Sequence, residues 1–411
     1  MKSKKIIRLF SLILGGGIVS ASISCNNIQS EHQKENNPQT NETKIQNNHE
    51  SKIDKKEDKN HSINEVDNKP LNNEKTTNQN DFGDSVLIGS WNIQNISNKT
   101  AIKDGFRLNA IADILKEENI KLLSIQELSG GESEAIERLV DLFNKKFNEN
   151  FKLRKSKIGV KSKSRPNSIE RQAVIYDPDN FESISNSETE IVESFYGKTA
   201  EFVRPLWNTY WKNKANDKKF WIINGHLDSP GAKKDIEKKA NELEGIKWKS
   251  SQGEQEVKEF LDIHNAFNFL KEKFYKSLDT FDSMIFNGDT NIKTKNFKDA
   301  NDYYINLGYE VGYSSFLEKN IDDYKTSLGK NENYSHPYDK FIILDKTDSI
   351  DQLPASKFKY DIIKAFKKQE TINKYKEKFE NDYKGKTAST KSMIEKISDH
   401  TLVKISMKNN R

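Results

Sequence analysis

One cysteine, Cys25, stands in 411 residues. A lone thiol excludes an internal disulfide and any multi-cysteine metal site. No glycine-rich nucleotide loop occurs, and no helix carries the closely spaced His-Glu-His set of a zinc site. The apolar run near the start, Leu9 to Val19, is too short to span a bilayer comfortably. Neither sign of charge dominates: 67 basic side chains face 62 acidic ones, a net of +5. Such a balance tolerates a polyanion without requiring one. No simple internal repeat stands out.

What is present begins with a targeting pattern. Lys2, Lys4, Lys5 and Arg8 precede the apolar run, and Ala21-Ser22-Ile23-Ser24 sets small residues before Cys25. Residues 1–25 resemble a bacterial lipoprotein signal, with cleavage before Cys25 and lipid on its thiol and new amino terminus. Residues 26–82 are dominated by asparagine, glutamine, lysine and glutamate. Such a stretch cannot bury enough apolar surface to offset its ordering entropy, so a disordered polar tether is expected. The remainder, 83–411, suffices for one large core with elaborations. The implied location is the outer face of the cell membrane, through a lipid anchor at Cys25.

Short apolar runs punctuate 83–411. Val86 to Trp91, Leu122 to Ile125, Ala173 to Tyr176, Phe220 to Asn224, Phe281 to Phe286, Phe341 to Leu344 and Leu402 to Met407 read as strands. Arg107 to Glu118 and Gln252 to Phe274 carry helical spacing. Strand, helix, strand is the α/β pattern, and it places ligands at strand ends. Residues 352–396 interrupt the rhythm as a lysine-rich insertion, expected to hold one or two amphipathic helices.

The polar residues cluster at the ends of those strands. Trp91-Asn92 and Gln126-Glu127 follow the first two. Gly225-His226-Leu227-Asp228-Ser229-Pro230 and Gly288-Asp289-Thr290-Asn291 follow two more, while Tyr338-Asp339-Lys340 and Ser398-Asp399-His400 precede the last two. In a mixed sheet an antiparallel strand starts where its parallel neighbour ends, so all can feed one rim. Two histidines with several carboxylates and amides suit metal-assisted cleavage of a phosphodiester, which needs a cation on its oxygens, a base for water and help for the leaving alkoxide. Glu127 is the best metal-ligand candidate, and Asn92 could orient Glu127, the metal or the phosphate. His226 and His400 could divide proton transfer between them. Asp289 and Asn291, two apart, would face one way on extended backbone. Among basic residues, Lys152 to Arg171 could follow a nucleic-acid backbone, with Arg171 and Arg204 the better individual candidates because arginine grips phosphate bidentately. His264 reads as a packing residue, and His336 as a secondary possibility.

In this order the motifs resemble the endonuclease/exonuclease/phosphatase superfamily, most closely its DNase I-like nucleases, and among them the lipid-anchored membrane nucleases of mycoplasmas. The resemblance spans about Val86 to Met407 without the insertion, and includes Arg165-Pro166-Asn167-Ser168-Ile169-Glu170-Arg171 and Phe202-Val203-Arg204. It implies a four-layer α/β sandwich of two mixed β-sheets flanked by helices, with the site at one rim. It further implies Glu127 as principal ligand of Mg2+ or Ca2+, with Mn2+ as an alternative and Asn92, Asn291 and Asp399 in support. His226 and His400 would be the acid–base pair, and Asp289 and Asn291 would bind metal and phosphate or orient water. Asp339 would pair with His226, Glu170 would brace His400, and Arg204, Arg171 and Asn291 would meet substrate phosphate. The expected partner is DNA, with RNA as a second substrate; no protein partner is evident. Competing readings are a lipid phosphodiesterase of the sphingomyelinase kind or a small-ester phosphatase on the same fold, and a non-catalytic binding lipoprotein.

Overall fold

The computed structural model describes residues 84–129, 134–157, 169–231, 238–274, 281–311 and 321–410. All belong to the second of two units, Met1–Lys75 and Thr76–Arg411. Cys25, the signal and tether segments, and residues 158–168 of the basic stretch lie outside the described residues.

Two mixed sheets carry the fold. The first contains β1 (Ser85–Ile96), β2 (Ile120–Ser129), β3 (Lys152–Lys155), β4 (Glu170–Tyr176), β14 (Ile350–Asp351) and β15 (Val403–Lys408), in the order β14-β15-β1-β2-β4-β3. The second contains β5 (Phe181–Ile184), β7 (Leu206–Asn213), β8 (Lys219–His226), β11 (Ser283–Asp289), β12 (Glu310–Val311) and β13 (Asp339–Asp345), in the order β12-β13-β11-β8-β7-β5, with β6 (Ser194–Phe195) also on β7. A separate ribbon joins β9 (Glu242–Leu243) to β10 (Ile246–Lys247).

Each sheet has one central parallel pair, β1 with β2 and β8 with β11, flanked by antiparallel strands. Parallel neighbours need a long crossover. Here α1 (Phe106–Glu117) joins β1 to β2, and α4 (Glu254–Phe274) lies between β8 and β11. The strands are nearly continuous apolar runs because both faces are covered: β11 is buried along its whole length. With α2 (Glu134–Phe147), α3 (Ser187–Ile191) and α5 (Phe297–Asn306) the arrangement is the sandwich of two mixed sheets with flanking helices that the resemblance implied.

The sheets touch through buried polar side chains as well as apolar ones. Gln126 of β2 donates to Asn224 of β8 at 2.6 Å, and Asn287 of β11 to Ser124 of β2 at 3.0 Å. These bonds fix how the two sheets meet just beneath the rim, since a buried amide left unpaired is costly.

The lysine-rich segment holds four helices where one or two were expected: α6 (Ala355–Phe358), α7 (Ile362–Lys367), α8 (Gln369–Asp382) and α9 (Thr390–Ile397). Local signals divide it. Asp361 caps the first turn of α7, extended Lys368 separates α7 from α8, and Ser389 forms a capping box with Ser392 at α9. The helices pack onto α1: Phe106 meets Tyr375 and Phe379 edge-on, and Tyr375 donates to Asp113 at 2.6 Å.

Candidate active site

The register of each sheet assembles the site. Asn92 sits opposite Gln126 in the last pairing before β1 and β2 bulge, and Asp289 lies between His226 and Asp339 where β8 and β11 end and β13 begins. Glu170 opens β4, and His400 shortly precedes β15. A cavity of about 380 Å³ opens there, lined among others by Glu127, Glu170, His226, Asp289, Asp399 and His400.

Backbone irregularity shapes the rim. The pairing of β1 with β2 shifts register between Asn92 and Ile96, and that of β2 with β4 between Ile125 and Leu128. Bulges re-aim side chains at strand ends. At the second one Glu127 adopts φ +62°, an unfavourable conformation for a residue with a side chain. Its carboxylate is held there from both sides: Oε1 accepts from Asn92 at 2.8 Å and Oε2 from the Asn95 amide at 2.9 Å. Buried Arg107 secures the first bulge by donating to the carbonyls of Ile93 and Gln94. On the other sheet Gly288, at φ +146°, lies so close to β8 that a Cβ would stand 1.8 Å from the Gly225 oxygen. Only glycine fits.

Two histidine–carboxylate pairs dominate the cavity. His226 Nδ1 is 2.8 Å from Glu170, and His400 Nδ1 is 2.7 Å from Asp339. This corrects the expected pairing, in which Asp339 served His226 and Glu170 served His400. The reason is topological: each brace comes from the opposite sheet, β4 for the histidine of β8, and β13 for the histidine that precedes β15. With Nδ1–H given to a carboxylate, Nε2 is the ring nitrogen left to face the cavity. Both Nε2 atoms converge on Asp289 Oδ2, His400 at 3.4 Å and His226 at 3.8 Å, and His226 Nε2 is also 3.8 Å from Glu127.

The surroundings tune the two rings differently. Burial and the Arg204 charge disfavour a proton on His226, but Glu170 and then Asp289 more than offset them, leaving its pKa above the ordinary value. Burial opposes the charged form of His400 too, yet Asp339, Asp289 and Asp399 raise its pKa well above the ordinary value. Burial pushes Glu170 and Asp339 up, and their histidine partners bring both below the usual carboxylate range.

The remaining candidates divide. Asn291 and Asp399 line the cavity; Asn291 donates its side-chain amide to Leu227 at 3.2 Å, and its backbone amide to Asp289 at 2.9 Å. Asn92 is fully buried, and its Oδ1 accepts from the Gln94 amide at 3.0 Å while Nδ2 serves Glu127 and Asp289. It thus orients two carboxylates, the orienting of Glu127 being one of its expected roles. Arg204 lines the cavity, paired with Glu170 at 2.7 Å. Arg171 does not line it, because neighbouring residues on a strand face opposite ways and Glu170 takes the inward position. Along the edge strand, Arg154 bonds Ser183 at 3.0 Å, and Lys155 is paired with Glu137. Those cations are engaged within the protein. His264 is a packing residue, its Nδ1 2.7 Å from the Leu261 carbonyl.

Several residues have supporting roles that the sequence did not reveal. Trp91 donates to the His400 carbonyl at 3.0 Å, and Ser398 to the Asn92 carbonyl at 2.7 Å, tying the His400 turn to β1. Glu259, inside α4, accepts from the amides of Val203 at 2.6 Å and Asp228 at 2.7 Å, so one carboxylate clamps the segments bearing Arg204 and His226. Burial pushes its pKa up to about 7. Lys340 is fully buried, with Nζ 2.8 Å from Thr290, and burial brings its pKa down to about 7 despite Asp339 and Asp289. A glutamate or lysine within a helix or strand carries no local mark of burial. The only signal for Lys340 was its place beside Asp339.

Among the described residues no group of three or more His, Cys, Asp or Glu side chains is arranged to hold a metal ion. The donor chemistry at the cavity nevertheless fits a hard cation. Glu127, Asp289, Asp399 and Asn291 supply oxygen, and magnesium takes only one or two protein carboxylates, completing its shell with water and substrate phosphate.

No family model matches the chain. A stretch of 122 residues, 29% of this chain, is 31% identical to an uncharacterised protein of Mycoplasma pneumoniae and spans 21% of that protein's length. Truncated TDP2 of Caenorhabditis elegans aligns at TM-score 0.45 and 13% identity over 79% of this chain and 97% of its own. An endonuclease/exonuclease/phosphatase family protein of Bacteroides thetaiotaomicron aligns at 0.44 and 15% over the same 79% and 97%. The human nocturnin catalytic domain aligns at 0.44 and 10%, over 79% and 94%.

Proposed function

We propose that the chain is a divalent-metal-dependent nuclease that hydrolyses phosphodiester bonds of DNA and RNA, held at the outer membrane face by lipid on Cys25 and supplying nucleotides from external nucleic acid. The observation that carries the hydrolytic reading is the convergence of two carboxylate-braced histidines on Asp289, beside Glu127. Glu127, assisted by Asp399 and Asn291, would hold magnesium, with calcium or manganese as alternatives. When bound, such an ion neutralises charge on the phosphoryl oxygens.

The protein side chains supply the rest. Glu170 and Asp339 fix the orientation of the two rings. Between them, His226 and His400 take a proton from the attacking water and give one to the departing oxygen. Asp289 lies between both Nε2 atoms, where it can orient the water. Asn92 holds Asp289 and Glu127 in register, so the acidic side of the site needs no rearrangement when substrate arrives.

Purified full-length chain in detergent, incubated with supercoiled plasmid, linear DNA and RNA, should degrade nucleic acid with magnesium and stop with chelator. The His226→Ala chain should be inactive and folded. Release of choline phosphate from sphingomyelin vesicles beside intact nucleic acid would transfer the site to lipid phosphodiesters. Inactivity on every phosphate ester across a full metal screen would remove the hydrolytic reading.

A further inference from the structure

A third histidine lines the same cavity in a different electronic state. His336 precedes β13, and its Nδ1 faces Thr294, 2.9 Å from the hydroxyl and 3.4 Å from the backbone amide. A backbone N–H can only donate, so Nδ1 is an acceptor and the ring proton sits on Nε2. His226 and His400 differ in carrying a proton on Nδ1, which in each faces a carboxylate. Burial and the charges of Lys293, Lys325 and Lys340 hold the ring neutral by lowering its pKa.

The ring is firmly placed. It lies 4.9 Å from the Tyr338 ring at 30°, and Tyr338 lies 6.1 Å from His400 at 31°, so three rings run in a row along one wall. The His336 carbonyl accepts from the Thr326 amide at 2.8 Å, its own amide donates to Ser327 at 3.1 Å, and Leu328 donates to the Asp399 carbonyl at 2.7 Å. His336 is thus tied to the turn that carries His400.

His336 adds a neutral donor to a cavity rich in carboxylates. The described lining holds the carboxylates Glu127, Glu170, Asp289 and Asp399, while the arginine among them, Arg204, is paired with Glu170. An entering phosphodiester meets negative charge on one side and requires donors on the other.

We propose that His336 is a substrate-binding residue whose neutral ring donates from Nε2–H to a non-bridging phosphoryl oxygen on the His400 side of the cavity. This rests on the phosphodiester reading of the site. Two substitutions in the full-length chain separate the ring's two nitrogens. In His336→Asn the side-chain oxygen can replace Nδ1 toward Thr294, but nothing replaces Nε2–H. In His336→Gln the amide nitrogen can reach the Nε2 position. The Asn variant should keep the parent's melting temperature and kcat within about threefold while KM on DNA rises about tenfold or more, the scale of a lost hydrogen bond to a charged group. The Gln variant should restore KM. A parental KM in the Asn variant overturns the proposal, as does equal KM damage in both.

A long-range nitrogen–proton NMR correlation of the histidine rings gives an independent readout. It should find the His336 proton on Nε2 and move that signal when inorganic phosphate is added. A proton on Nδ1, or no response to phosphate, overturns the proposal. If the parent cuts no phosphodiester, the functional reading fails, and the phosphate titration still decides whether His336 binds phosphoryl oxygen.

Discussion

The pairs His226–Glu170 and His400–Asp339 share a motif and differ in what stands behind it. Glu170 is a hub: it serves His226, takes the Arg204 guanidinium at 2.7 Å and accepts the Glu127 amide at 2.8 Å. Asp339 has buried Lys340 as its neighbour, but the groups that act most on His400 are all acidic. The consequence is that proton affinity at His226 is a contest between Glu170 and Arg204, whereas at His400 three carboxylates pull together. A histidine–carboxylate pair does not set a pKa by itself; the third charge does.

The largest effect should come from removing either ring. His226→Ala and His400→Ala should each lower kcat on plasmid DNA by about 10²–10⁴-fold, the range of a lost general acid or base. Because the rings act on one substrate, the double variant should be little worse than either single one. Losses that multiply would show two independent sites of action and break the comparison.

Removing the braces should sharpen it. In Glu170→Gln, burial and Arg204 remain and outweigh the smaller pull of Asp289, so NMR titration should find the His226 pKa below its ordinary value of about 6.5. In Asp339→Asn, Asp289 and Asp399 still act, so His400 should lie nearer its ordinary value. The reverse order would remove Arg204 as the distinguishing charge. Each change breaks a buried pair, and denaturant melts should record a loss of about 3–5 kcal/mol.

The stability difference between parent and Asp339→Asn should depend on pH. The His400 pKa is raised on folding, so its contribution is full below about 6.5 and is lost as pH rises through the raised value. The Asp339 pKa is lowered, so its contribution is present above about 3.9 and is lost as pH falls through the lowered value. Melts across pH 3 to 9 should show the widest gap between those limits, and a flat gap would mean that the pair does not couple to folding.

The smallest effect belongs to the clamp. Glu259→Gln turns one acceptor into a donor facing a backbone N–H, costing about 1–3 kcal/mol in denaturant melts. It should disturb His226 signals more than those of His400, since Val203 and Asp228 both lie on the His226 side. Equal disturbance at the two rings would show that the clamp acts on the whole rim.

Much of this rim was legible from sequence because strand ends are. An apolar run followed by Asn92, Glu127, His226 or Asp289 locates each residue along a strand, and mixed pairing brings the ends together. Which residues then meet across the sandwich depends on strand order. Neither the local sequence around Glu170 nor that around Asp339 says which sheet each joins, and the expected pairing was therefore exchanged. Arg171 lies off the cavity for a smaller reason: one step along a strand reverses the face. Glu259 was invisible because a helix hides an acid among its polar residues until the segments it clamps are known.

His226 of the second sheet takes its brace from the first, and His400, which leads into the first sheet, takes its brace from the second. Neither sheet alone can contain a working half of the site, however well formed its strands. Competence arises only when the two layers dock, and phosphodiester cleavage would serve as an all-or-none report on that last step of assembly.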